Sequence, residues 1–230
     1  MAITESLSRL INYYERHGFG ATVQRGQTFL RRFFLSRRFA VYYFDLSNCG
    51  AVSLVQNWPE HLSVNRVAGQ DEIDAKDWEK IVNFWNPELS RRNFSKRFKE
   101  GATAWLIRSN GNLAGYGWTL TGRSIQPHFL PFGPNDVHLF DFLIFPEFRG
   151  QRINPLLVNY ILQNLISENR SRAYIEVAEW NKAQLSSLNR TGFQLMGFAH
   201  KTIFRGRTVV VWAKAADPAS SVSARSSGKN

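Results

Sequence analysis

Residues 136–158 read DVHLFDFLIFPEFRGQRINPLLV. An apolar run of strand character closes at Pro-Glu, a basic loop with one glycine follows, and Asn-Pro stands where an apolar helix begins. Asn154 is a good N-cap residue, and Pro155 suits the first helical position because its missing N–H has no intrahelical acceptor there. The spacing predicts a helix from Pro155 to about Asn169. A strand that feeds a helix N-terminus through such a loop collects unpaired backbone N–H groups from Gly150 to Asn154, the positive end of the helix dipole, and the guanidinium groups of Arg149 and Arg152. That is a place for phosphate. On its own the signal is weak, since many basic caps simply face water.

The flanking pattern alternates strands and helices. Downstream, RAYIEVAE reads as a strand, Lys182 to Arg190 as a short helix, and FQLMGFAHK and RTVVVWAK as two further strands. Upstream lie a strand, LSVNRVA, a helix opened by Asp74 and a second helix from Ser90. Then come ATAWLIRS and LAGYGWTLTG, joined by Asn110-Gly111-Asn112, a strong hairpin signal. The loop from 122 to 135 is rich in proline and carries His128, Phe129 and Phe132. Nearer the N-terminus, FAVYYFDL reads as a strand and residues 4–16 and 24–36 as two short basic helices. The expected division is a basic extension at 1–58, one domain at 59–216 and a disordered Ser/Ala-rich tail at 217–230. No internal repeat is present.

With 230 residues, 43% hydrophobic and 14% aromatic, the chain can bury one substantial core. No apolar run approaches the roughly 20 residues of a membrane span, and MAITESLSRL lacks the apolar block of a secretory signal, so a cytoplasmic location is the expectation. Cys49 is the sole cysteine, and the histidines at 17, 61, 128, 138 and 200 have no ligand-like spacing, so neither redox chemistry nor a metal is expected. The formal charge of +11 calls for a polyanionic partner. Seven arginines and two glutamates lie within residues 1–40, and Arg91, Arg92, Lys96, Arg97 and Lys99 form a second basic group. In 24–38, Phe29, Leu30, Phe33 and Phe34 form an apolar stripe beside arginines. This reads as a helix packed on the domain, with peripheral contact to an anionic membrane as the alternative.

The order of elements, the loop PEFRGQRINPLLV, and a later strand, Asn181, short helix and TGF together resemble the GNAT superfamily of acyl-CoA-dependent N-acyltransferases over roughly Leu62 to Lys214. The resemblance implies an α/β (α+β) fold with a mixed, mostly antiparallel central sheet flanked by helices. It also implies acetyl-CoA or another acyl-CoA as co-substrate, its pyrophosphate held by the loop's N–H groups. The cofactor contacts would then be Ile144, Arg149, Gly150, Gln151, Arg152, Ile153, Asn154 and Asn181. The family's loop pattern is Arg/Gln-x-x-Gly-x-Gly/Ala. Here Arg152 and Asn154 stand at its glycine positions, so the side chain at 152 must turn outward.

For the chemistry, His138 occupies the place where several family members put a general base, and an unperturbed imidazole with pKa about 6.5 suits that work. The alternative is a strand histidine satisfied by a hydrogen bond. Strand alternation puts Asp141 on the opposite face, in need of a partner inside the fold; it is a catalytic candidate, with a structural pairing to an arginine as the alternative. Glu176 is the second carboxylate that could reach the cleft, acting through water; solvent exposure is its alternative. The resemblance assigns the Phe142 N–H to the thioester carbonyl and the Ile144 backbone to the pantetheine arm. Where the family often has a tyrosine as acid, this chain has Leu188. Asn181 is either a pantetheine contact or a plain helix cap.

The whole chain is loosely similar to bacterial members linked with surface-polysaccharide synthesis, which points to an amino sugar among small-molecule amine acceptors. Two other classes compete: an aminoacyl-tRNA-dependent transferase of the same fold and a non-catalytic basic binding module. A recognisable pyrophosphate loop in a single domain speaks against nucleic acid as the partner.

Overall fold

The computed structural model describes residues 38–48, 57–124, 128–204 and 207–213. The helices expected at 4–16 and 24–36, the tail from 217, and all but Arg38 of the segment read as a membrane contact lie outside them.

Alternating side chains build the strands, and 3.6-residue stripes build the helices that cover them. In chain order the elements are β1 (Arg38–Asp45), β2 (Leu62–Val67), α1 (Ala75–Phe84), α2 (Pro87–Lys99), β3 (Thr103–Ser109), β4 (Asn112–Thr121), β5 (Val137–Ile144), α3 (Ile153–Ser167), β6 (Arg172–Ala178), α4 (Lys182–Leu188), β7 (Gln194–Phe204) and β8 (Arg207–Ala213). They form one sheet of order β2-β3-β4-β5-β6-β1-β7-β8, antiparallel everywhere except between β5 and β6. The fold is therefore the mixed, mostly antiparallel α/β arrangement expected. The strand at the end of the N-terminal segment is not peripheral, since β1 lies between β6 and β7 and pairs with both.

The β3–β4 turn has φ 49° at Asn110 and 74° at Gly111, the two positive values a type I′ hairpin turn requires. In β3 successive residues serve opposite faces. Trp105 and Ile107 pack with Leu157, Val158, Ile161 and Leu162 of α3, while Ala104 and Leu106 pack with Ile81 of α1 and Phe94 of α2. Helices α1 and α2 thus cover one face of the sheet and α3 the other. α2 begins at Pro87 rather than Ser90, because Asn86 caps it by accepting the Leu89 N–H at 2.9 Å and Pro87 takes the first helical position. Among the described residues, no helix is long and apolar enough to cross a membrane.

Candidate active site

The site begins at a seam. β5 and β6 pair in parallel only over Val137–Leu139 and Ala173–Ile175, so their C-terminal halves are not joined. On its other edge, β5 carries a bulge. Tyr116 of β4 pairs with Leu143 and Trp118 with Phe140, which leaves Asp141 and Phe142 together opposite Gly117. A Cβ at Gly117 would stand 2.4 Å from the Phe142 ring. The glycine is what admits that ring. We expect Gly117→Ala to destabilise the protein by roughly 1–3 kcal/mol, the cost of overpacking, read as a lower melting temperature. An unchanged melting temperature would show that the ring relaxes freely.

The bulge corrects the expectation for Asp141. Its φ is 50°, which breaks the alternation on which an inward side chain was argued. The carboxylate is about half exposed and pairs with Arg97 Nη1 of α2 at 2.6 Å. Arg97 in turn lies over the rings of Trp118 and Phe140, 5.1 and 5.6 Å from their centroids.

Beyond the bulge, the loop and α3 enclose a cleft of about 460 Å³. Phe142 and Ile144 line it from β5, Arg149 to Pro155 contribute except Gln151, and Asn181, Gln184, Ser187 and Arg190 close it from α4 and its flanks. The helix starts two residues earlier than expected, at Ile153, with Arg152 as N-cap in the left-handed region at φ 59°. Pro155 is therefore the third helical residue, still among the positions whose N–H has no intrahelical acceptor. Asn154 is not the cap. Its Nδ2 instead donates to Gln184 Oε1 at 3.0 Å and Ser187 Oγ at 2.9 Å, tying α3 to α4. Gly150 at φ 79° and Arg152 at φ 59° curl the backbone ahead of the helix, the kind of concavity that presents N–H groups to an anion. Arg149 Nε donates to the Ile144 carbonyl at 3.1 Å. Gln151 donates to the Glu147 carbonyl at 3.4 Å and does not line the cleft. Asn181 caps α4 by accepting the Gln184 N–H at 3.2 Å, and it also lines the cleft.

On the α1/α2 face of the seam, three residues from three segments converge. His138 of β5 and His128 of the proline-rich loop both approach Glu176 of β6, with Nε2 to Oε2 distances of 2.8 and 2.9 Å. Phe140 stacks on His138 at 5.0 Å, and Phe132 lies 5.6 Å from it. Burial pushes the Glu176 carboxyl up, but the two imidazole hydrogen bonds and the imidazole charge outweigh it and hold the group far below the usual carboxylate range. Their ligand atoms lie within 4.8 Å of one another, a set that could in principle gather a metal although the histidines are not spaced like ligands in sequence. Both Nε2 atoms point at the same Glu176 oxygen, so with that oxygen ionised and no cation between them each Nε2 is the protonated nitrogen of its ring.

A family model, described as the acetyltransferase (GNAT) family, matches residues 70–193, more than half of the chain. The chain belongs to that family. Among solved structures it is similar to a tandem GNAT protein from the clavulanic acid biosynthesis pathway, at 16% identity and TM-score 0.50, covering 78% of this chain and 55% of that one. A GCN5-related N-acetyltransferase from Kribbella flavida is 14% identical with TM-score 0.46, covering 81% of this chain and 61% of its own. AAC(6')-Iy, solved with the bisubstrate analogue CoA-S-monomethyl-acetylneamine, is 11% identical with TM-score 0.47, covering 64% and 99%. The chain spans about 60% of the length of the Kribbella protein. No curated protein sequence matches it.

Two features of this GNAT chain were not legible in its sequence. His128 stands in the proline-rich loop, and nothing in a ten-residue spacing from His138 shows that both reach one carboxylate. Gln184, Ser187 and Arg190 joined the cleft only once α4 was docked. Leu188 is fully buried in the core beneath α3, so this helix position presents no side chain to the cleft. Tyr116, near the bulge, is buried, and burial with the Asp141 charge pushes its hydroxyl pKa well up, so it holds its proton.

Proposed function

We propose that the chain is an acyl-CoA-dependent N-acyltransferase that moves an acetyl group to a primary amine, with an amino sugar as the acceptor class. The observation that carries this is the cleft at the β5/β6 seam. It has a curled backbone and helix N-terminus with Arg149, Arg152 and Arg190 at one end, and apolar Phe142 and Ile144 along its side. The basic end suits a pyrophosphate and the apolar wall suits a pantetheine arm. Coenzyme A supplies the thioester. The Phe142 N–H, at the bulge, stabilises charge on the thioester oxygen, a role that the family resemblance implies.

His138 accepts the proton of the attacking amine, and Glu176 orients its ring. The amine must lose that proton before its nitrogen can bond to the acyl carbon; as that bond forms the carbon–sulfur bond breaks, and coenzyme A leaves as a thiolate that takes its proton from water. Phe132 and Phe140, both partly exposed, lie beside His138 and offer aromatic surface of the kind on which a sugar stacks. Phe129, by contrast, is 5% exposed and packs against Phe39 and Trp212.

Acetyl-CoA binding by calorimetry tests the cleft. Arg149→Ala is expected to weaken it by about 1–3 kcal/mol, the range for a charge-assisted hydrogen bond. Unchanged affinity would remove the loop from the site. Thermal stabilisation by RNA in place of acetyl-CoA would favour a tRNA-dependent transferase. Acceptor class is then read by screening amino sugars and other amines for free-thiol release from acetyl-CoA.

A further inference from the structure

Glu176 Oε2 receives two imidazoles at once, at 2.9 Å from His128 and 2.8 Å from His138. An ionised carboxylate has no proton to give, so each Nε2 carries hydrogen and each ring's lone pair sits on Nδ1. On His128 that lone pair already faces the Leu130 N–H, 3.4 Å away. On His138 it is buried and has no hydrogen-bond partner. The two rings also stand 4.9 Å apart, so a positive charge on one opposes a charge on the other.

We propose that His128 is a positioning residue for acyl transfer: its Nε2–H fixes the Glu176 carboxylate and leaves His138 Nδ1 as the one proton-accepting nitrogen of the three-residue cluster. The inference rests on reading His138 as the base. Two donors on one oxygen divide its charge between them. With His128 present, the carboxylate is held from two sides and the Nε2–H of His138 stays fixed on it. Among the described residues, Lys201 of β7 is a further charged group within electrostatic reach of Glu176, its ammonium 4.3 Å from the centroid of the Phe129 ring. It is present in every variant below and does not distinguish them.

The alternative is that His128 only packs, through its contacts with Phe129 and Phe132 at 5.5 and 4.8 Å. Two substitutions separate the readings. His128→Phe keeps a ring and removes the donor; His128→Gln keeps an N–H donor and removes the ring. Nuclear magnetic resonance of nitrogen-15-labelled histidine rings, followed across pH, should show both wild-type rings protonated on Nε2 at neutral pH. The His138 ring should keep a single Nε2-protonated form in His128→Gln and show mixed ring protonation in His128→Phe. With an accepted amine, kcat should fall roughly tenfold in His128→Phe and stay within about threefold in His128→Gln, with KM for acetyl-CoA unchanged in both.

The same Nε2-protonated His138 ring and the same kcat in all three proteins, or an Nδ1-protonated ring on either histidine of the wild type, would overturn the proposal. Should His128→Phe fail to fold, the wild-type ring protonation and the His128→Gln rate still decide. Acetyl-CoA calorimetry on the same samples keeps the two readings apart. No binding overturns acyl transfer itself, whereas binding with equal rates overturns only the role of His128.

Discussion

His138→Ala is expected to lower kcat by roughly 100-fold or more while leaving acetyl-CoA affinity nearly unchanged. The ring stands on the α1/α2 face of β5, away from the residues that line the cofactor cleft, so its removal takes away a proton acceptor and no cofactor contact. Its Nε2 is committed to Glu176 and its Nδ1 is the nitrogen left to accept. The pH profile carries the same information. A base works only when deprotonated, so kcat should fall as pH drops. Glu176 is held ionised far below the usual carboxylate range, so the acidic limb should lie in the imidazole range, well above that of a carboxylate. A folded His138→Ala protein with full activity would reject the assignment. So would a limb near pH 4, which would make a carboxylate the base.

The second large effect is on stability. Glu176→Ala strands two buried imidazole donors at once, since His128 and His138 share the same oxygen. At roughly 1–3 kcal/mol for each buried donor left unsatisfied, the denaturant midpoint should fall clearly at neutral pH. The pH dependence has a definite sign. The folded-state pKa of Glu176 lies below its unfolded value, so its contribution is fully present above about pH 4 and is lost as pH falls toward the folded value. The wild type should therefore lose stability on acidification more steeply than Glu176→Ala. Identical midpoints at neutral pH and parallel acid profiles would mean that water satisfies the two rings and that the cluster contributes little to the fold.

Local rules were enough for much of this chain. Asn110-Gly111 sets the hairpin because few other residue pairs tolerate two successive positive φ values. The strand-loop-helix at 136–158 marks a phosphate-type loop because an apolar run, a glycine, two arginines and a proline each fix backbone or charge over a few residues. Alternation in β3 and the stripe on α3 then determine which faces are buried. The family pattern is legible for the same reason, since it is written in contiguous residues.

What failed from sequence failed where one residue breaks a period or where distant segments meet. Alternation placed Asp141 inside, but the bulge against Gly117 turned it out to Arg97, and the pairing that creates a bulge belongs to two strands together. Asn154 looked like a cap, yet Arg152 could adopt the left-handed cap conformation, and contacts from α4 claimed the asparagine side chain. The strand at 39–46 read as part of an extension, because its two neighbours in the sheet come from more than 120 residues later in the chain. Thus the sequence alone determined the sheet-and-helix plan and the strand-loop-helix turn at 136–158, both products of neighbours in the chain. Only the tertiary structure decided that His128, His138 and Glu176 share one proton-holding point, because hydrogen bonds between a loop and two strands depend on distances that sequence spacing does not record.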